Sequence, residues 1–254
     1  MVNLLLHRRI IRVFIPIALI AWLLWQTAII EILLIARFDG PRNLEAIALS
    51  FDDGPDWGEE ELILELNRAG IQATFFWLWE KIELMQTEDI EKFARIIDAI
   101  KEGKHEIGIH GYRCATSWNP LERFFYLNEK ENIDGLGRKY QVLFKKEPLL
   151  YRSHGARAGR QFYDSVRKSG LNLIIGSFSS QISSDTQAGA FAGYFQNARE
   201  GTIICAHDSS SCDTNYGLAR KIARVIPEIG QVTRAKNMRV MTVSELLQVL
   251  PGLE

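Results

Sequence analysis

Acidic and imidazole side chains are grouped in this sequence in three short motifs that could do chemistry together. LSFDDGP places the carboxylates of Asp52 and Asp53 side by side, and GTIICAHD carries His207 near its end. In HEIGIHGYRC, His110 precedes Cys114 by four residues, a spacing that suits a metal ion. A metal can polarise an amide carbonyl and lower the pKa of water, and a histidine can give a proton to a leaving group. These residue types therefore predict metal-assisted hydrolysis.

Two neighbouring carboxylates can divide metal binding and proton transfer between them only if their environments differ. One has to be held by a cation and the other left to accept a proton, because that asymmetry separates their pKa values. Taken alone, each motif also has an ordinary explanation. Asp-Asp-Gly-Pro consists of turn formers, His110 could be a hydrogen-bonded core residue, and Arg152 in LLYRSH could be a structural ion-pair partner.

The elements that must position these residues are predicted from short apolar stretches rich in β-branched and aromatic residues. Seven stretches predict strands: AIALSFD, ATFFWLW, EIGIHG, LLYRSH, LNLIIGS, TIICAHD and MRVMTV. Segments 59–69, 89–101 and 218–229 lie between them and have apolar residues at helical spacing. This alternation predicts an α/β fold with parallel strands and crossover helices.

The predicted strands are apolar until their last residues, as strands covered on both faces should be. The carboxyl ends of parallel strands meet at one edge, where ligands bind in barrels and open sheets. The chemically active side chains stand at these ends and are predicted to converge: Asp52, Asp53, His110, Arg152, His154, His207 and Asp208. Turn formation alone predicts no such convergence, so the pattern favours a catalytic site.

Composition excludes several classes of protein. The 254 residues accommodate one large domain, since a barrel-type α/β domain needs roughly 200 residues. The net charge is -1 and no long basic block is present, so nucleic acid is not an expected partner. Three cysteines are too few for a disulfide framework.

The N-terminal region predicts a membrane anchor. Residues 13–30 contain no charge, the apolar run resumes after Glu31, and basic residues precede it, so the positive-inside rule keeps the N-terminus in the cytoplasm. The alternative is a cleaved secretory signal, which would have a shorter apolar core and a small-residue cleavage site. We expect a cytoplasmic N-terminus over 1–12, a single transmembrane helix over 13–36, a linker over 37–45 and a non-cytoplasmic domain over 46–254.

The motifs resemble those of a known family. LSFDDGP and EGKHEIGIHGYRC are similar to the first two motifs of the polysaccharide deacetylases, carbohydrate esterases that share the NodB homology domain. GIQATFF resembles their second strand, YRSHG falls at the position of their arginine motif, GTIICAHD resembles their last catalytic motif, and MRVMTVSELL their closing strand and helix. The similarity extends over residues 46–247.

The resemblance implies a distorted barrel of about seven parallel strands that removes an N-acetyl, or less often O-acetyl, group from a sugar with a divalent metal. Carried over to this sequence, Asp53 and His110 would bind the metal. Asp52 would be the general base. Arg152 would orient the Asp52 carboxylate and stabilise its negative charge. His207 would be the general acid that protonates the departing amine.

This sequence departs from the family pattern at several positions. Cys114 stands where the family has a second histidine ligand, and a thiolate there would favour zinc over magnesium or manganese. Alternatively, Cys114 only lies near the site, or forms a disulfide with Cys205 or Cys212. SFSSQISSDT replaces a tryptophan-and-aspartate motif, of which Asp185 is a possible remnant, and the prolines that follow the family's arginine are absent from YRSHG.

Two classes of function follow. The first is a membrane-anchored, metal-dependent deacetylase acting on an acetylated sugar, polysaccharide or lipid-linked glycan near the bilayer. The second is a non-catalytic relative that keeps the fold and binds a glycan or a partner protein. The presence of both aspartates, His110, Arg152 and His207 in one chain favours the enzyme, because a binding module needs none of them in these roles.

Overall fold

The structure is a computed structural model that describes residues 16, 37, 39–113, 133–153, 164–166, 168–177, 181–182, 191–209 and 217–249. The chain divides after Ala36 into two units, and all the described strands lie in the second unit. Within the described residues, no helix is long and apolar enough to cross a membrane. The predicted anchor over 13–36 lies outside the described residues, apart from Pro16.

A sheet of parallel strands forms the centre of the second unit, as the sequence predicts. Its strands are β1 Ala46–Gly54, β2 Thr74–Trp77, β3 Glu106–Ile109, β4 Leu150–Tyr151, β5 Asn172–Leu173, β6 Gln181–Ile182, β7 Ile203–His207 and β8 Arg239–Met241. The order is β5-β4-β3-β2-β1-β7-β6, and β8 pairs with residues 46–48 of β1. Each of the seven predicted stretches contains a strand.

The expectation of a distorted barrel of about seven parallel strands is confirmed for the parallel α/β sheet, and the described strands form a curled half-barrel. β5 and β6 are the end strands, and no pairing within the described residues joins them. β6 was not predicted from the sequence. Its two residues lie in the polar stretch SFSSQISSDT. This stretch contains too few apolar residues to show the apolar–polar alternation of a strand.

Helices cover the connections between strands. They are α1 Glu59–Ala69, α2 Trp79–Glu88, α3 Ile90–Glu102, α4 Ile133–Phe144, α5 Phe191–Asn197, α6 Leu218–Ala223, α7 Ile226–Ala235 and α8 Val243–Leu247. Segment 218–229, whose apolar residues have helical spacing, is divided between two helices, because α6 ends before Pro227 in the first turn of α7. Proline has no amide hydrogen, and its ring clashes with the carbonyl four residues earlier, so a single helix cannot continue through it.

The core lies on both faces of the central strand. All nine residues of β1 are buried, and Phe51 stacks on Phe75 of β2 with ring centroids 5.3 Å apart. Buried polar residues are unusual in such a strand and need partners. In β1 they are Ser50, Asp52 and Asp53, so the polar residues are concentrated at the carboxyl end of the strand.

Candidate active site

A β-bulge at the end of β1 aims the two aspartates. Asp52 pairs with Phe76 and Gly54 pairs with Trp77, so Asp53 is an extra residue without a counterpart on β2. Asp53 has a φ of 74°, a left-handed conformation that aspartate adopts more readily than most residues. Successive side chains of a regular strand point to opposite faces, and a bulge changes this direction. The bulge therefore lets two consecutive carboxylates serve one site.

Asp52 is held by a buried arginine. Nη1 of Arg152 donates to Oδ1 of Asp52 at 2.6 Å and to Oγ of Ser50 at 2.9 Å. The Ser50 hydroxyl donates in turn to the carbonyl oxygen of Ile204 at 2.9 Å. The guanidinium carbon lies 4.1 Å from the ring centroid of Phe76, a cation–π contact. These contacts fix the orientation of the Asp52 carboxylate at the edge of the sheet.

Asp53 faces two histidines instead of the arginine. Its Oδ1 lies 3.3 Å from Nε2 of His110, and its Oδ2 lies 3.9 Å from Nε2 of His207. Burial alone lowers the pKa of His110, but the negative charges of Asp52 and Asp53 outweigh burial and raise that pKa above its usual value. The carboxylates of Asp52 and Asp53 therefore make the surroundings of His110 favourable for a positive charge.

His110 has the orientation that a metal ligand needs. Its Nδ1 lies 2.8 Å from the carbonyl oxygen of Arg152, so Nδ1 carries a proton and donates it to that carbonyl. In a neutral His110 the other nitrogen, Nε2, then presents a lone pair to the carboxylate of Asp53. Two acceptors facing each other require a cation or a proton between them. A backbone carbonyl that orients a histidine in this way is typical of metal sites, and the two residues fit a divalent cation.

The third predicted metal ligand, Cys114, lies outside the described residues, as do His154, Asp185 and Cys212. In the part of the chain that the structure describes, no group of three or more His, Cys, Asp or Glu side chains is arranged to hold a metal ion. Asp53 and His110 are brought together, and the role of Cys114 remains a prediction. Cys205 is a free buried thiol in the structure, and a pairing of Cys114 with Cys212 falls outside the described residues.

Several residues of the site escaped the sequence analysis. Ser50 contacts Arg152, and the signal for it was its position two residues before Asp52, on the same face of β1. Glu59 and Asp56 were also missed, and they lie buried next to Asp208, which the sequence did place at this edge of the sheet. The three-residue spacing from Asp56 to Glu59 indicates a helix start, but no pattern in the sequence places Asp208 against them.

Comparison with known proteins bears on this arrangement. Residues 39–174 match the family model for polysaccharide deacetylase. A peptidoglycan-N-acetylglucosamine deacetylase of Bacillus cereus is 29% identical over 212 residues, which are 82% of this chain and 91% of that protein.

Solved structures show the same fold at low sequence identity. The crystal structure of a peptidoglycan N-acetylglucosamine deacetylase in complex with a naphthalenyl N-oxidanyl-benzamide has a TM-score of 0.61 at 24% identity, and the match covers 86% of this chain and 95% of that one. A carbohydrate esterase family 4 pseudoenzyme from Bacillus anthracis has a TM-score of 0.59 at 14% identity, covering 83% and 68%. The fold alone therefore does not separate active from inactive members.

The match to the family model is more specific than the fold. It extends over more than half of the chain and includes the paired aspartates, His110 and Arg152. The chain belongs to the polysaccharide deacetylase family, whose enzymes are hydrolases that act on amide bonds.

Proposed function

We propose that this protein is a metal-dependent deacetylase that removes the N-acetyl group from an amino sugar of a membrane-proximal polysaccharide, such as the glycan of peptidoglycan. The observation that carries the proposal is the different environment of two consecutive carboxylates. Asp52 pairs with Arg152 at 2.6 Å, whereas Asp53 faces His110 at 3.3 Å. Asp52 is thereby available to accept a proton, and Asp53 is available to bind a cation.

Asp53 and His110 would hold the cation, with Cys114 as a third ligand. Metal dependence is general in this family, and a thiolate ligand favours zinc over harder ions. When bound, zinc supplies Lewis-acid polarisation of the acyl carbonyl and lowers the pKa of water. The residues left to move protons are then Asp52 and His207.

Asp52 would accept the proton of the attacking water, because Arg152 holds its carboxylate in one orientation. His207 would protonate the departing amine. Its side chain is 28% exposed while that of Asp53 is fully buried, so His207 borders the side from which substrate arrives. Its Nε2 remains 3.9 Å from Asp53, within the same site.

The proposal includes a location for the enzyme. Residues 13–36 would anchor the chain in the membrane, and the domain from residue 46 onward would lie on the non-cytoplasmic side, where acetylated glycans are within reach. The uncharged apolar run and the basic residues that precede it support this orientation.

The test is acetate release by the full-length chain in detergent micelles, with N-acetylglucosamine oligomers and with peptidoglycan fragments as substrates. We expect release that stops after chelation and returns with zinc. A chain that binds no metal and releases no acetate from either substrate would contradict the proposal. It would favour the non-catalytic, glycan- or protein-binding alternative, a possibility consistent with the existence of a pseudoenzyme of the same fold.

A further inference from the structure

Three buried carboxyl groups that the proposed reaction does not use lie beside the site. Glu59 and Asp208 are fully buried, and Asp56 is 4% exposed. Glu59 is at the start of α1, Asp56 precedes it in the turn after β1, and Asp208 follows His207 directly in the chain. Buried carboxylates are costly without donors, so each of them needs a partner.

Glu59 accepts hydrogen bonds from two of the elements that form the site. Nε1 of Trp77, the last residue of β2, donates to Oε1 of Glu59 at 2.7 Å. The backbone amide of Asp56 donates to Oε2 at 2.9 Å. Glu59 therefore joins the end of β2 to the turn that follows the paired aspartates.

Asp208 lies against the same glutamate. Among the described residues no donor reaches either oxygen of the Asp208 carboxylate, and its side chain contacts that of Glu59. The turn after β1 packs closely on Trp77 and Asp208. A Cβ atom on Gly54 would lie 2.7 Å from the Trp77 ring and 3.1 Å from Oδ2 of Asp208. Two buried carboxyl groups in contact cannot both be ionised, and a proton between them supplies the missing donor.

We propose that Asp208 carries a proton at neutral pH and donates it to Glu59, and that this carboxyl pair is a positioning element that fixes His207 against the Asp53 turn. The pair connects β7 through Asp208, β2 through Trp77 and the turn after β1 through Asp56. The protonated pair stands on its own geometry, whereas its effect on catalysis rests on the proposed function.

The charges around the pair agree with a bound proton. Burial raises the pKa of Asp208 well above its usual value, and the negative charges of Glu59 and Asp56 raise it further. Burial also raises the pKa of Glu59, to about 7. The opposing charge is Lys81 of α2, which lowers the pKa of Asp208 but donates its own hydrogen bond to Ser209 at 2.6 Å. Arg220 of α6 acts on Asp56.

The raised pKa of Asp208 determines how the stability of the folded protein depends on pH. A folded-state pKa above the unfolded value of about 3.9 means that the folded protein binds the proton more strongly. The stabilisation is complete below the unfolded pKa and is lost as pH rises through the folded pKa of Asp208. The pair should therefore loosen once pH has risen through that pKa, and the position of His207 should loosen with it.

Asp208→Asn tests the pair because the amide has nearly the same shape, donates permanently to Glu59 and has no proton to lose. In the full-length chain at neutral pH, we expect the infrared band of a protonated carboxylic acid in the wild type and its loss in the variant. The free energy of unfolding should fall less steeply with rising pH in the variant. The difference between the two slopes should correspond to up to one bound proton per molecule. Asp98→Asn, the same change at an exposed position of α3, should alter neither readout.

Glu59→Gln provides an independent measurement if Asp208→Asn folds poorly. The glutamine amide would donate to Asp208, so the protonated-acid band should disappear there as well. An unchanged band in both variants, or an unchanged pH slope of stability in Asp208→Asn, would overturn the protonated pair.

The positioning role has its own readout. The alkaline limb of the pH–rate profile should extend to higher pH in Asp208→Asn while KM is maintained. A profile identical to that of the wild type would overturn the positioning role even if the band is lost. A wild type that shows the band but releases no acetate would leave the pair intact, contradict the proposed function and, with no reaction for His207 to serve, overturn the catalytic role of the pair.

Discussion

Nδ1 of His110 lies 2.8 Å from the backbone carbonyl oxygen of Arg152, so the residue that pairs with Asp52 through its guanidinium also orients the histidine that faces Asp53. The two halves of the site are therefore coupled through one residue on β4's carboxyl side. The side chain of Arg152 serves the predicted general base, and its backbone serves the predicted metal ligand. Displacement of this strand end should affect both functions together.

The two aspartates should respond differently to the same substitution. In Asp52→Asn we expect metal content close to that of the wild type and loss of acetate release, because the general base is removed while Asp53 and His110 remain. In Asp53→Asn we expect loss of both metal and activity. Metal analysis of the purified proteins and an acetate assay check this. Equal loss of metal in the two variants would contradict the division of roles.

Ser50→Ala should weaken the hold on Arg152. Nε and Nη2 of Arg152 have no acceptor in the described part of the chain, so removal of the serine hydroxyl leaves the guanidinium with Asp52 as its side-chain acceptor. We expect a loss of about 1–3 kcal/mol in the free energy of unfolding and a fall in kcat/KM of roughly tenfold. Urea unfolding and the acetate assay measure the two effects.

Ser50→Thr is the matched control for this substitution, because it keeps a hydroxyl that can accept from Arg152 and donate to the carbonyl of Ile204. Activity close to the wild-type value in the threonine variant, with loss in the alanine variant, would assign the effect to the hydroxyl. Equal losses in both variants would instead indicate disturbed packing of β1.

His105 should make the protein sensitive to acid. The backbone amide of Ala73 donates to its Nδ1 at 3.0 Å, and its Nε2 lies 2.8 Å from Oδ1 of Asn67, an arrangement that fixes the neutral ring. Burial lowers the pKa of His105 to about 4. Its contribution to stability is present above the unfolded pKa of about 6.5 and is lost as pH falls toward 4, by ~3 kcal/mol.

The measurement for His105 is urea unfolding of the wild type and His105→Gln at pH values across this window. We expect the wild type to lose stability between pH about 6.5 and 4 and the variant to lose less. His105 lies before β3 and contacts neither predicted metal ligand in the described residues, so metal content should not change in the variant. Parallel curves for the two proteins would show that another group causes the acid sensitivity.

The convergence of the site could be predicted because it follows from topology. In a parallel sheet the carboxyl ends of all strands share one edge, so apolar stretches ending in Asp52, His110, Arg152 and His207 were sufficient to bring these residues together. The family resemblance assigned a role to each of them.

What escaped prediction depends on local geometry or on contacts between distant residues. The bulge at Asp53 depends on one residue that breaks the period of β1, which the alternation of apolar residues cannot show. The contact of Glu59 with Asp208 joins the start of α1 to the end of β7 across 149 positions of the chain, and although Asp208 was expected at this edge, no pattern in the sequence places Glu59 against it. Such contacts become visible only when the fold places the strand ends side by side.

Cys114 decides whether the metal site is complete. Asp53 and His110 provide two ligands, and a catalytic zinc normally has three protein ligands with one open position. We expect the full-length wild type, purified without affinity metals, to carry about one zinc per chain and Cys114→Ser to lose most of it, because a hydroxyl is a far weaker zinc ligand than a thiolate. Cys114→His should retain zinc, since histidine is the family's residue at this position. Zinc retained in the serine variant would show that Cys114 only lies near the site, and a different side chain would then have to complete the coordination by Asp53 and His110.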